Sequence, residues 1–324
     1  MPQVQTVRGP VDATDLGQVL VHEHVFVLDP EIAANHPGEW GDEDARVDDA
    51  VARLTDLTTR GVRTIVDPTV IGLGRDVPRV QRVAERVPGL HVVVATGLYT
   101  YDRLPPHFRY RGPRSGPGRE DPLLAMFVAD IEEGIAGTGV RAGLLKCAID
   151  EPGLTPDVER VLRAVARAHL RTGVPVTVHT HPGTRTGLTV DAVFAQEGVD
   201  PRSVVLGHSG DSLDLDHLCD LAERGYLLGM DRFGIERVVT SEQRADVVVE
   251  MCRRGHAGSM VLSQDASCYI DWMPPRVREA MPRWRYTHVH DDVLPYLRAH
   301  GVTEEQVTAM LVDNPRRYLE PRPR

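Results

Sequence analysis

Histidines, carboxylates and one lysine recur in this chain where a short apolar run has just ended: His22-Glu23-His24, Lys146, His179, His208, Asp231-Arg232 and Asp265. Neutral imidazole and carboxylate together suit zinc, cobalt, manganese or iron. In a β-strand residues i and i+2 share a face, so His22 and His24 are expected to project to one side and chelate one ion. With His179, His208 and Asp265 the set reaches four imidazoles and a carboxylate. That is more than one tetrahedral ion takes, which favours two divalent metal ions. Each part has a plainer reading: an HxH is often a surface pair, Asp265 fits a helix cap, and His208 fits a hydrogen-bonded core. The shared placement of all five carries the argument. Lys146 repels cations while protonated. It is either a buried charge balanced by carboxylates or an amine carboxylated by carbon dioxide, whose carbamate oxygens bridge two cations.

These residues meet only if the runs before them are strands of one sheet. Eight such runs stand at 18–21, 62–66, 91–95, 142–146, 174–178, 203–206, 226–229 and 259–262. Helical segments at 43–60, 77–86, 121–136, 155–172, 188–196, 213–224, 241–254 and 291–300 separate them. Thr155-Pro156 reads as a helix start, and Gly61, Gly173 and Gly225 as stops. Eight βα units predict an α/β fold, a (β/α)8 TIM barrel, with 1–324 as a single domain and an additional C-terminal helix at 302–311. Such a barrel places its site where the strands end. The connections 99–120 and 268–290 exceed ordinary βα loops and read as lids or a channel. Arg103, Arg109, Arg111, Arg114 and Arg119, interleaved with Pro and Gly, read as a solvated loop.

Composition narrows the partners. With 37 basic and 47 acidic side chains the net charge is −10, which argues against nucleic acid. Cys147, Cys219, Cys252 and Cys268 form no CxxC, so a reducing, cytoplasmic setting is expected. No run of 18 apolar residues occurs and the first residues lack a signal-like pattern, so no membrane partner is expected. Gly72-Leu73-Gly74 is too short for a dinucleotide fingerprint.

Several stretches together resemble the phosphotriesterase family of the amidohydrolase superfamily. They are Gly17-Gln18-Val19-Leu20-Val21-His22-Glu23-His24, Gly143-Leu144-Leu145-Lys146, Val178-His179-Thr180-His181, Gly207-His208 and Ser263-Gln264-Asp265. Thr96-Gly97-Leu98-Tyr99, Gly229-Met230-Asp231-Arg232 and Cys268-Tyr269-Ile270-Asp271-Trp272 are most similar to its phosphotriesterase-like lactonases. The resemblance implies a distorted barrel, a homodimer and two divalent metals, zinc among those expected. By its pattern His22, His24 and Asp265 would hold the buried ion and His179 and His208 the exposed one. A carboxylated Lys146 and a hydroxide would bridge them. The activity implied is opening of lactones as small-molecule substrates, with phosphotriesters as side substrates; the alternatives are a true phosphotriesterase or another carboxylic-ester hydrolase, and a barrel that binds without catalysing. Asp265 would move the proton, Tyr99 and Arg232 would orient the ester, and Trp272, Ile270 and Met273 would line an acyl channel. Plainer roles for these last are an aromatic core contact for Tyr99, a salt bridge to Asp231 or a neighbouring carboxylate for Arg232, and loop packing for Trp272. Gln264 departs from the His that many relatives carry before the metal-binding Asp.

Overall fold

The computed structural model of the chain describes residues 2–112 and 120–321, so Arg114 and Arg119 of the expected solvated loop lie outside the described residues. Arg103, Arg109 and Arg111 are exposed, as expected. Among the described residues twelve strands follow in chain order: β1 (Gln3–Thr6), β2 (Gly9–Asp12), β3 (Gln18–Leu20), β4 (His24–Val27), β5 (Val62–Asp67), β6 (His91–Gly97), β7 (Leu144–Ala148), β8 (Val176–His179), β9 (Val204–Gly207), β10 (Leu227–Met230), β11 (Met260–Leu262) and β12 (Ser267–Ile270). The eight expected runs are β3 and β5–β11. They pair in parallel in the order β3-β5-β6-β7-β8-β9-β10-β11, with helices outside, and build a nearly closed (β/α)8 barrel.

Strand β7 shows how alternation sets the two faces. Leu144 joins Val19, Val66, Val93, Val205, Leu227 and Val261 in the barrel interior, while Leu145 and Cys147 pack outward among the helices. Lys146 therefore points inward, one layer above Leu144, and is 1 % exposed. Outside, the helix Pro156–Thr172 starts at Thr155, whose hydroxyl accepts from the Val158 N–H, and stops at Gly173 with φ 76°.

Three features escaped the sequence pattern. The hairpin β1–β2 packs beside β6, and Arg8 at its turn donates to the carbonyls of Ala84, Val87, Pro88 and Leu90. At the other end, the helix expected at 302–311 continues to residue 319 through Glu304–Thr308, a π-helical turn Ala309–Asp313 and Asn314–Leu319. Pro315 directly follows the π-helical turn, where the i→i−4 ladder is already interrupted and a residue without an N–H is accommodated. Asn314 then donates to the carbonyls of Ala257 and Met260, and the Tyr318 hydroxyl meets Thr177 Oγ1 at 2.8 Å inside the barrel.

The third feature is a seam. Strands β3 and β11 share no ladder; β4 and β12 pair in parallel beyond them. His22 N donates to Ser263 Oγ at 2.9 Å, Asp265 N to the His22 carbonyl at 3.0 Å and His24 N to the Ala266 carbonyl at 2.8 Å. His22-Glu23-His24 is therefore not one continuous strand. The chain bends after β3, and His24 opens β4. A single ladder cannot continue here, because Glu23 turns inward to bridge the gap. Its buried carboxylate accepts from Ser263 Oγ, Gln264 N, Gln264 Nε2 and Ala266 N at 2.8–2.9 Å. Among the described residues no helix is long and apolar enough to cross a membrane.

Candidate active site

The barrel mouth opens into a cavity of about 540 Å³, lined among others by His22, His24, Lys146, His179, His208 and Asp265. The four imidazoles are at most 7 % exposed, and a protein group stands behind each. Asp231, fully buried after β10, takes His22 Nδ1 on one oxygen at 2.8 Å and His208 Nδ1 on the other at 2.9 Å. His24 Nδ1 meets Thr69 Oγ1 at 2.7 Å, and that hydroxyl donates to Asp67. Since Thr69 spends its only proton on a carboxylate, His24 Nδ1 must carry the hydrogen. His179 Nε2 bonds Asp150. In all four rings the proton is thus drawn to the back, and the lone pair faces the cavity.

The facing nitrogens fall into two groups. Nε2 of His22 and His24 lie 3.6 and 3.2 Å from Asp265 Oδ1, and the three side chains form one potential ligand set. Nδ1 of His179 and Nε2 of His208 lie 2.9 Å apart. Two imidazole lone pairs that close repel unless a cation sits between them. A proton is a poor candidate: burial lowers the His179 pKa to about 4 and holds that of His208 well below its ordinary value. The donor set fits two divalent cations. Two of its members, His208 (φ 68°) and Asp265 (φ 52°), adopt the left-handed backbone that non-glycine residues avoid, so the surrounding structure holds them there at a cost.

Lys146 Nζ stands 3.3 Å from His22 Nε2. Burial pulls its pKa down to about 8, partly opposed by Asp265 and Asp231. Arg232 Nε approaches Asp265 Oδ2 at 3.4 Å and Nη1 bonds Asp211 Oδ2 at 3.0 Å. Its carboxylate partners are therefore Asp265 and Asp211; Asp231 is occupied with histidines. The Tyr99 hydroxyl contacts Tyr101 Oη and lies 3.0 Å from His179 Nδ1; burial raises its pKa, so it stays a proton donor. Trp272, 46 % exposed, stands at the rim with its ring 5.8 Å from that of Tyr99, and Ile270, Met273, Ile235 and Val238 share the wall.

Sequence reasoning missed Asp67, Thr69, Asp150 and Asp211, and passed over Glu23 between its two histidines. Asp67 and Asp150 did carry a signal, since one is the last residue of β5 and the other follows β7 by two residues. Gln264 lies outside the cavity: its Nε2 donates to Glu23 and its Oε1 accepts from Val289 N at 2.7 Å, so it tightens the seam.

Compared with known proteins, residues 2–319 match the sequence pattern of the phosphotriesterase family. The chain belongs to the phosphotriesterase family. Membership of this family indicates a hydrolase acting on esters. Among its relatives is a phosphotriesterase homology protein of Mycobacterium tuberculosis, 57 % identical over 321 residues, covering 99 % of this chain and 98 % of that one. An aryldialkylphosphatase of Saccharolobus solfataricus is 35 % identical over 315 residues, 96 % and 98 % of the two chains. The solved structure of the phosphotriesterase from Mycobacterium tuberculosis superposes with a TM-score of 0.96 at 56 % identity, covering 99 % of each chain. The cavity lies at the C-terminal ends of the strands, the end at which (β/α)8 barrels carry their active sites.

Proposed function

We propose that this phosphotriesterase-family hydrolase opens lactones with a pair of divalent metal ions and acts on phosphotriesters as side substrates. The observation that carries the reading is the convergence of four back-bonded imidazoles, Lys146 and Asp265 on one cavity with apolar walls. His22, His24 and Asp265 would hold the inner ion, and His179 and His208 the outer. Bound dications supply Lewis acidity and water activation near neutral pH.

The chain's own residues do the rest. A Lys146 amine with its pKa near 8 has an appreciable neutral fraction at pH 7–8. With carbon dioxide its nitrogen would form a new N–C bond and release one proton to solvent, and the resulting carbamate would present two oxygens where the ammonium presents none. Asp265, kept ionised by its histidine neighbours against the cost of burial, accepts the proton released on attack and passes it to the leaving alkoxide. Arg232 and the protonated Tyr99 hydroxyl line the approach and orient the ester oxygens. Trp272, Ile270 and Met273 give an alkyl substituent an apolar wall.

A second reading, a phosphotriesterase proper, is favoured by the names of the relatives at 57 % and 35 % identity. A panel on enzyme reconstituted with zinc, cobalt or manganese separates the two. We expect kcat/KM on aliphatic lactones to rise with substituent length and exceed that on an aryl dialkyl phosphate by at least about tenfold, roughly 1.4 kcal/mol of differential transition-state binding. A preference for the triester would reverse the assignment. Fewer than about two ions per chain after reconstitution would remove the binuclear part.

A further inference from the structure

The backing groups of the four histidines are unequal. Those behind His22, His208 and His24 are Asp231, Thr69 and Asp67, each at most 5 % exposed and held inside the barrel. Behind His179 stands Asp150, whose side chain is 20 % exposed and which comes from the loop after β7, four residues beyond Lys146. That loop is pinned at both ends of its turn. Glu151 N donates to Asp150 Oδ1 at 2.6 Å, Thr155 Oγ1 donates to the Asp102 carbonyl at 2.6 Å, and Leu104 N donates to Asp157 at 3.0 Å. One carboxylate oxygen is thus fixed by its own turn while the other takes the His179 N–H.

We propose that Asp150 is the positioning residue for the outer ion: by holding the His179 proton on Nε2 it aims Nδ1 at His208 Nε2, and it sets occupancy of the outer site independently of the inner. This rests on the two-ion reading above. The physical reason is tautomer control. Without an acceptor behind it, His179 can place its proton on Nδ1, 3.0 Å from the Tyr99 oxygen and 2.9 Å from His208 Nε2, where it satisfies those atoms and removes the ligand lone pair. None of the inner donors, His22, His24 and Asp265, has Asp150 among its hydrogen-bond or ion-pair partners. The inner site therefore keeps its geometry when Asp150 changes.

The test loads wild type, Asp150→Ala, Asp150→Asn and Asp150→Glu with cobalt, dialyses each against metal-free buffer, and counts ions per chain by elemental analysis, with circular dichroism melting in parallel. Wild type is expected to keep two ions. Asp150→Ala should keep about one, with outer-site affinity down about 10- to 100-fold, the range typical of such outer partners. Its kcat should recover as free cobalt is raised. Asp150→Asn, whose carbonyl oxygen still accepts the N–H, should fall between the two, and Asp150→Glu, which keeps a carboxylate acceptor, should retain more of the outer ion than Asp150→Ala; a Glu variant no better than Ala would count against the proposal. An Asp150→Ala enzyme that keeps two ions with wild-type affinity overturns the proposal. So does loss of both ions together with a lowered melting temperature, which would mark a general structural role. Wild type that binds only one ion overturns the two-ion reading and this inference with it, an outcome distinct from the other two.

Discussion

Asp231 shows how one side chain determines the chemistry of two others. Each oxygen accepts an imidazole N–H, and Oδ1 also takes the His208 backbone N–H at 2.8 Å. Asp231→Asn is nearly isosteric, yet its amide has only one oxygen. The NH2 group must face either His22 or His208 and force that ring to carry its proton on Nε2, in the cavity. We expect the fold to persist, metal affinity to fall at least about tenfold, and hydrolysis to fall further, since a carboxylate that sets a tautomer is worth far more than its bond energy. Titration of the variant with cobalt, read alongside its turnover, checks this; unchanged affinity would mean the tautomers are fixed by something else.

At the scale of elements, the site depends on how closely β6 and β7 approach. Gly97 closes β6 at φ 147°, and a Cβ there would stand 1.8 Å from the Lys146 carbonyl oxygen. That contact is backbone against backbone, so no rotamer change relieves it. Gly97→Ala must push β7 away, carrying Lys146 with it, and is expected to cost about 3 kcal/mol or more, at the upper end of single-substitution effects. Urea unfolding should show the lowered midpoint, and the folded fraction should lose activity as well. The same alanine change at Gly255, whose φ is 87° but which has open space around it, should cost only the backbone strain of about 1–2 kcal/mol and leave the site intact.

For the molecule as a whole, crowding so many imidazoles into one interior couples stability to pH. His22 and His208 have lowered pKa values, and burial brings His179 and His290 down to about 4. As pH falls below about 6.5 the unfolded chain takes up protons that the folded chain refuses, so metal-free protein loses stability from there down to about pH 4. Glu23 works in the opposite sense, since burial raises its pKa to about 8, but it is one group against several. Asp150, held down at about 2 through its bond to His179 against the cost of burial, adds a further loss below the ordinary carboxylate range. A shift of the size seen at His179 corresponds to about 3 kcal/mol. Thermal melts of metal-free protein should therefore fall clearly between pH 7 and pH 4.5. Saturating cobalt or zinc at pH 7 should raise the melting temperature, because the ions bind the imidazoles assembled in the folded state more tightly than the same residues scattered along the unfolded chain. A pH-independent melt would contradict this account.

Local pattern was sufficient for the barrel, because β-rich runs and capped helices are written in neighbouring residues, and His22, His24, Lys146, His179, His208 and Asp265 stand out by following those runs. What the sequence by itself determined was therefore the list of inward-facing donors and the elements that carry them. The tertiary structure decided their protonation and orientation. The pairing of Asp231 with His22 spans 209 positions, that of Thr69 with His24 spans 45, and Glu23 reaches 241 positions to close the seam between β3 and β11. No periodicity records such contacts. They arise because a sheet curled into a nearly closed barrel brings its first and last strands together, and buried imidazoles must then find acceptors among whatever side chains this places behind them.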